Sequence, residues 1–198
     1  MSDFKEPKIT INRVYTRQGD LGQTRLVGGQ LVTKNAPRID CYGTVDELNA
    51  CIGRCVAQLQ DSAVSHLEPV LLRVQHTLFN LGSVLAALPE DVGPMMPRVR
   101  KEDIDELERQ IDAANEKLPT LTSFVLPGGH VLNADFHVAR TVCRRAERIC
   151  VQLVERGEVV DEWSVPYLNR LSDALFVWSR LSLTEAGLAE ILWRANHD

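Results

Sequence analysis

One stretch, HVARTVCRRAERICVQL (residues 137–153), writes two stripes into a single helical period, and a chain containing it must bury one of them. Leu132, Phe136, Ala139, Val142, Cys143, Ala146, Ile149, Cys150 and Leu153 recur at three- and four-residue steps, the spacing of one buried face of a 3.6-residue helix. Arg140, Arg144, Glu147 and Arg148 recur in the same way and share another face. Three guanidiniums on that face, with Arg145 beside them and one carboxylate among them, repel one another unless something anionic sits between them. The planar fork of Arg suits phosphate or carboxylate. Two readings stay open on this stretch alone, a solvated basic face or an anion site.

The chain around it has 198 residues, enough for one domain with a full core and an N-terminal extension. Aromatics are only 6%, and Val and Ile do not alternate with polar residues, which leans the expectation toward helices. A formal charge of −5 argues against a general nucleic-acid binder, whose affinity rests on a broad excess of Lys and Arg, so any anion site must be local. No apolar run approaches the length that crosses a bilayer, and MSDFKEPKIT has neither an apolar signal core nor an Arg-rich amphipathic pattern. The expected location is therefore the cytoplasm, with neither nucleic acid nor membrane as a partner. Cys41, Cys51, Cys55, Cys143 and Cys150 lack a paired CxxC arrangement and read as buried reduced thiols rather than zinc ligands.

Residues 1 to about 12 read as a flexible tail. After them, VYTRQGDLGQTRLVGGQLVTK (residues 14–34) combines Gly19, Gly22, Gly28 and Gly29 with Thr16, Thr24, Arg13, Arg17, Arg25 and Lys34. Glycines let backbone N–H groups turn toward a phosphate, although the spacing is not that of a Walker A loop, and a plain surface turn or hairpin has the same composition. Past Pro37 the pattern is helical. Ile39, Tyr42, Val45, Leu48, Ile52, Cys55 and Leu59 form a stripe, while Gly43, Ala50 and Gly53 leave room for a neighbouring helix. Asp46 and Asn49 fall on that small-residue side, where burial of the acid would call for a cationic partner. A second helix is expected over residues 66–87, a Pro-rich connector over 88–99, a third helix over 101–117 and a last one over 166–183. PTLTSFVLPGGH (residues 119–130) reads either as a loop tucked under the bundle with Phe124 as its plug or as an apolar lid over a flat ligand. The tail from Glu185 frays or covers a neighbour.

These elements make an all-α, up-and-down five-helix bundle with a flexible Gly-rich N-terminal segment. It divides into residues 1–36, 37–184 and a tail at 185–198, within one domain over 1–198. The sequence holds no Glu-x-x-His pairs, HExxH, GxSxG or Cys/His nucleophile set, so the chemistry is expected to come from a cofactor or substrate.

Three blocks closely resemble the PduO-type ATP:cob(I)alamin adenosyltransferases. They are YTRQGDLGQTRLVGG (residues 15–29) with Lys34, YGTVDELNA (residues 42–50), and FVLPGGHVLNADFHVARTVCRRAERICV (residues 124–151) followed by YLNRLSDALFV (residues 167–177). The resemblance implies a homotrimer in which ATP and corrinoid meet at subunit interfaces. Thr16, Arg17, Gln18, Gly19, Thr24, Arg25 and Lys34 match the family's ATP-binding segment, with Gln18 standing where Thr is commoner. Arg144, Glu147 and Arg148 match the helix residues that hold ATP and its magnesium, which makes Glu147 the candidate Mg²⁺ ligand, and Asn169 matches a nucleoside contact. Asp46 and Arg140 match a salt bridge between subunits beside the corrinoid, and Phe124 matches the residue under the corrin ring.

The implied reaction moves the 5′-deoxyadenosyl group of ATP to cob(I)alamin, giving adenosylcobalamin and triphosphate. Cobalt in the +1 state is the nucleophile, which accounts for the missing protein nucleophile and leaves Lys34, Arg144 and Arg148 to neutralise the departing triphosphate. A flavin reductase for Co(II) and an adenosylcobalamin-dependent enzyme are the implied partners. Two other classes share part of the pattern: an adenosylcobalamin carrier would need the apolar residues but no triphosphate contacts, and a nucleotide-sensing trimer would have no use for Phe124.

Overall fold

The computed structural model describes Tyr15 and residues 17–196. Five helices carry the fold: α1 (Pro37–Ala57), α2 (Glu68–Leu85), α3 (Lys101–Asn115), α4 (Val131–Glu155) and α5 (Ser164–Glu185). Their ends follow local chemistry. Pro37 opens α1, where a missing N–H costs nothing. Asp103 accepts from the Arg100 backbone N–H at 3.0 Å at the start of α3. His130 caps α4, its Nδ1 accepting from the Leu132 N–H at 3.3 Å.

Cross-helix contacts give the directions. Asn49 and Gln75 each donate a side-chain N–H to the other's carbonyl at 3.3 Å, while Arg38 reaches Leu85, so α1 and α2 run antiparallel. Cys41 Sγ lies 3.1 Å from Cys150 Sγ, and Arg54 pairs with Asp135 at 2.7 Å, which sets α4 antiparallel to α1. The Cys143 thiol meets the Leu168 carbonyl at 3.1 Å and Asn133 donates to the Ser179 carbonyl at 2.8 Å, so α5 runs antiparallel to α4. Glu108 and Arg170 pair at 2.9 Å, and Arg180 donates to the Pro119 carbonyl at 2.8 Å, which makes α3 parallel to α5. The chain thus alternates in direction from each helix to the next. Leu48, Ile52, Leu71, Leu78, Phe136, Leu168, Leu171, Leu175 and Trp178 fill the shared core. Burying each such side chain contributes about 1.5–3 kcal/mol. No described helix is long and apolar enough to cross a membrane.

A small hairpin adds to the helical expectation. Strands β1 (Gln23–Arg25) and β2 (Leu31–Thr33) pair antiparallel with Thr24 opposite Val32. Gly29 turns the chain at φ +90°, which a side chain would resist. The hairpin is fastened to the end of α2: Leu26 is buried, the Val27 N–H donates to the Ala86 carbonyl at 2.9 Å, and Gln30 Nε2 donates to Asp91 Oδ2 at 2.7 Å. A Cβ on Gly28 would stand 2.0 Å from Asp91 Oδ2, so only glycine fits this close approach.

One buried arginine joins three segments. Arg38 donates to the Leu85 and Ala87 carbonyls at 3.1 Å, to Glu158 Oε2 at 2.5 Å and to the Val159 carbonyl at 3.2 Å. It ties the start of α1 to the end of α2 and to the α4–α5 connection. Arg38→Met should lower the unfolding free energy by on the order of 3 kcal/mol, since it strands a carboxylate and three carbonyls. Urea denaturation of the variant checks this, and an unchanged midpoint would show that the clamp is idle.

Candidate functional site

The Gly-rich segment builds one wall. Gln18, Gly19, Thr24, Arg25 and Lys34 line a single cleft of about 600 Å³, with Gln23 and Leu31 between them. The Lys34 backbone N–H donates to the Gly22 carbonyl at 2.9 Å, and a Cβ on Gly19 would stand 3.0 Å from Lys34 Nζ, so the missing side chain is what admits the ammonium. Arg25 donates to the Gly29 carbonyl at 2.7 Å. Arg17 sits at φ 61° with its guanidinium 5.8 Å from the Tyr15 ring centre. Thr16 and Arg13 lie outside the described residues. Lys34 also borders a second cleft, of about 620 Å³, between α1 and α4, where Glu47, Ile149, Gln152 and Arg156 face it.

The basic face of α4 is open. Arg144 and Arg148 are exposed, and neither forms a hydrogen bond or ion pair with another described residue. Glu147 and Asn169 are brought together, Asn169 Nδ2 donating to Glu147 Oε1 at 2.9 Å across α4 and α5. Arg145 is spent elsewhere, in an ion pair with Glu47 of α1. Neither cleft at Lys34 is lined by Arg144 or Arg148, so one chain does not gather all its predicted triphosphate contacts into one pocket.

Asp46 is exposed on the single chain. The buried arc of α1 runs through Cys41, Val45, Leu48, Ile52 and Cys55, and Asp46 is rotated about 100° past Val45. Gly43 has open space where a Cβ would be, and Ala50 is exposed; only Gly53 faces a neighbour, Gln75 of α2. Asp46 borders an apolar groove of about 280 Å³ between α1 and α2, with Tyr42, Val45, Leu78 and Phe79. Arg140 is half-buried on the far side of α4, where its Nε donates to His137 Nδ1 at 3.3 Å and His137 Nε2 meets Ser179 Oγ of α5 at 3.2 Å. α1 packs against both α2 and α4, so Asp46 on its α2 side and Arg140 toward α5 are not partners within one chain.

Phe124 is 78% exposed, so it is not a plug under the bundle. It stands edge to face with Trp193, ring centres 6.2 Å apart. The tail pairs with its loop: Leu126 N–H donates to the Ile191 carbonyl at 2.8 Å and Trp193 N–H to the Phe124 carbonyl at 2.7 Å. Arg180 fastens the tail through Glu190 at 2.6 Å, a nearly buried pair. An apolar surface of Phe124, Leu126, Ile191, Leu192 and Trp193 results. Sequence reasoning missed Trp193, whose signal was the short apolar run Ile191–Trp193 in the tail.

Cobalamin adenosyltransferase is the family whose sequence model matches residues 14–182. The chain belongs to the cobalamin adenosyltransferase family. Among its relatives, the corrinoid adenosyltransferase of Bacillus subtilis is 39% identical over 180 residues, covering 90% of this chain and 91% of that protein. That of Mycobacterium leprae is 42% identical over 191 residues, covering 94% and 97%. A solved structure of a variant PduO-type ATP:corrinoid adenosyltransferase from Lactobacillus reuteri, complexed with cobalamin and ATP, superposes with a TM-score of 0.86 at 36% identity, covering 92% of this chain and 99% of that one.

Three thiols are held well above the ordinary range for cysteine. Burial pushes Cys55 up to about 12 and raises Cys143 and Cys150 further, Cys150 chiefly through its contact with Cys41. Among the described residues there is no group of three or more His, Cys, Asp or Glu able to cage a metal ion. A lone carboxylate such as Glu147, half-buried and held on one oxygen by Asn169, suits instead an Mg²⁺ that arrives on phosphates and keeps most of its ligands from them.

Burial, together with the charge of Arg140, pulls His137 down from 6.5 to about 4. Unfolded chain therefore takes up a proton that folded chain refuses, so this contribution is complete above about 6.5 and is lost as pH falls from there toward about 4. The stability difference between pH 7 and pH 5 should shrink in His137→Asn, as read from urea midpoints; an unaltered difference would show that His137 is not the group responsible.

Proposed function

We propose that this chain transfers the 5′-deoxyadenosyl group of ATP to cob(I)alamin, at sites shared between the subunits of a homotrimer. The observation that supports this most is likeness over nearly the whole chain to an enzyme solved with both substrates. Co(I) supplies the electron pair that forms the cobalt–C5′ bond. The C5′–O bond breaks, and inorganic triphosphate leaves with its electrons. No protein nucleophile is needed, in keeping with the Cys55, Cys143 and Cys150 thiols, which are buried and hard to ionise.

Within one domain over 1–198, residues 1–36 form the ATP-binding segment, 37–184 the bundle and 185–198 a tail against the corrinoid side. Thr16, Arg17, Gln18, Gly19, Thr24, Arg25 and Lys34 wrap the triphosphate. Arg144 and Arg148 of α4 complete that cradle, and Asn169 meets the nucleoside. Charge neutralisation by Lys34, Arg144 and Arg148 favours departure of the triphosphate, because its charge grows as the C5′–O bond lengthens. Mg²⁺, held through Glu147, would shield the same phosphates. Phe124 and the apolar residues beside it press on the corrin face and keep water and a lower axial ligand away. Asp46 of one subunit and Arg140 of the next close the boundary beside the corrinoid. The working location is the cytoplasm, with a flavin reductase supplying Co(I) and an adenosylcobalamin-dependent enzyme taking the product.

Mixing the protein with Mg·ATP and chemically reduced cobalamin should produce the visible spectrum of adenosylcobalamin. A carrier would bind the corrinoid without turnover, and a nucleotide sensor would leave its spectrum unchanged. Arg144→Ala should remove a charge-assisted contact of about 1.5–3 kcal/mol, a loss of roughly tenfold to a hundredfold in kcat/KM with the assembly intact. Near-normal kinetics would rule out this triphosphate site. Hydrogen exchange over residues 14–34 should slow when Mg·ATP is added, because contacts supplied by the ligand offset the entropy that a Gly-rich segment loses on ordering. Equal rates with and without nucleotide would remove the segment from the site.

A further inference from the structure

A buried relay stands beside the corrinoid side of this site and has no part in the roles assigned so far. Ser179 Oγ donates to the Phe176 carbonyl at 2.7 Å, which commits the hydroxyl proton. The 3.2 Å contact between Ser179 Oγ and His137 Nε2 must then be a donation from the ring, so the proton of His137 sits on Nε2. Nδ1 is left with a free lone pair, and that atom faces Arg140 Nε at 3.3 Å. The tautomer is thus set by the serine, and the serine by the backbone of α5. His137 is 3% exposed and its ring also meets Phe176 edge to face at 6.2 Å, so it has little room to turn.

Arg140 makes no other hydrogen bond among the described residues, and Arg144 one turn away repels it. A half-buried guanidinium with one fixed atom differs from a free one. With Nε held, the two terminal nitrogens remain for a forked contact with a carboxylate, and less side-chain freedom is lost when that contact forms. The same scaffold reaches the loop that follows Phe124: Asn133 donates to the Ser179 carbonyl at 2.8 Å and accepts from the Gly128 N–H at 2.9 Å.

We propose that His137 is a positioning residue for Arg140, its Nδ1 holding the guanidinium so that the free edge meets the carboxylate of Asp46 of the partner subunit beside the corrinoid. The proposal rests on the reading of Arg140 given under the proposed function. His137 itself touches neither substrate.

Steady-state kinetics with cob(I)alamin and ATP varied separately test it on the intact enzyme. Asn places an acceptor near the Nδ1 position, Gln places its amide near Nε2, and Phe keeps the ring without either nitrogen. His137→Phe and His137→Gln should raise the corrinoid KM about tenfold, the loss of one charged hydrogen bond, and leave the ATP KM within about twofold. His137→Asn should recover most of that loss. In Arg140→Ala the additional His137→Phe change should have no further effect. An unchanged corrinoid KM in His137→Phe, or equal damage to both substrates in Phe and Asn variants alike, overturns the proposal. Should His137→Phe fail to fold, His137→Gln, which keeps the Ser179 contact, decides on the same criteria. Arg140→Ala alone separates the two claims: a normal corrinoid KM there overturns the reading of Arg140 itself, whereas a raised one with a normal His137→Phe overturns only the positioning role.

Discussion

Unpaired positive charge along one face of α4 is the constraint to which the rest of the site answers. Arg140, Arg144 and Arg148 follow each other at helical steps, burial together with the charge of Arg144 lowers the pKa of Arg140, and the one carboxylate among them, Glu147, is already engaged by Asn169. Such a face is held together by the opposite face of the same helix, where Leu132, Phe136, Ala139, Cys143, Ala146, Cys150 and Leu153 are fully enclosed by α1 and α5. The apolar side fixes the helix while the charged side stays exposed, so a protein of net charge −5 carries a local concentration of positive charge. A chemistry whose nucleophile is the substrate's own metal asks for little more than placement and charge, so the raised pKa of the buried Cys143 thiol and the absence of a caged metal among the described residues do not conflict with it.

The bundle allots its faces to different tasks. α1 gives its buried arc to the core and leaves Asp46 on the rim of the α1–α2 groove, α4 presents Arg140 away from it, and the tail and the loop at Phe124 form a third, apolar surface. The hairpin is fastened to the end of α2 through Val27 and Ala86 and to the connector after it through Gln30 and Asp91, while Lys34 borders the α1–α4 cleft. These surfaces lie apart on one chain, and under the proposed function closed symmetric assembly would bring one subunit's Asp46 to another's Arg140.

The helices were legible because their stripes are long and their ends carry ordinary signals: Pro37 at the start of α1, the Asp103 cap of α3 and the acid-poor, apolar period of α4. The pairing of Glu147 with Asn169 was invisible to periodicity, since 22 positions separate them. The surroundings of Asp46 were not legible, because small neighbours on a helix permit close approach without requiring it, and in this chain Gly43 meets open space. Phe124 had two readings in the sequence, and its tail partner Trp193 comes from a segment with no period at all. His137 escaped notice because a lone histidine on an apolar helix has no local mark; only its position between Ser179 and Arg140 distinguishes it.

The central claim is that the site is completed across subunits, and mixed assemblies test it most directly. Asp46→Asn and Arg140→Ala proteins, each impaired in adenosyl transfer, would be unfolded together in equal amounts and refolded. In a trimer containing both kinds of subunit, one interface receives an intact aspartate from one chain and an intact arginine from the other. Random assembly then predicts recovery to about a quarter of the wild-type rate, well above either variant alone. Activity that stays at the average of the two variants would show that Asp46 and Arg140 do not meet across an interface, and would contradict the shared site.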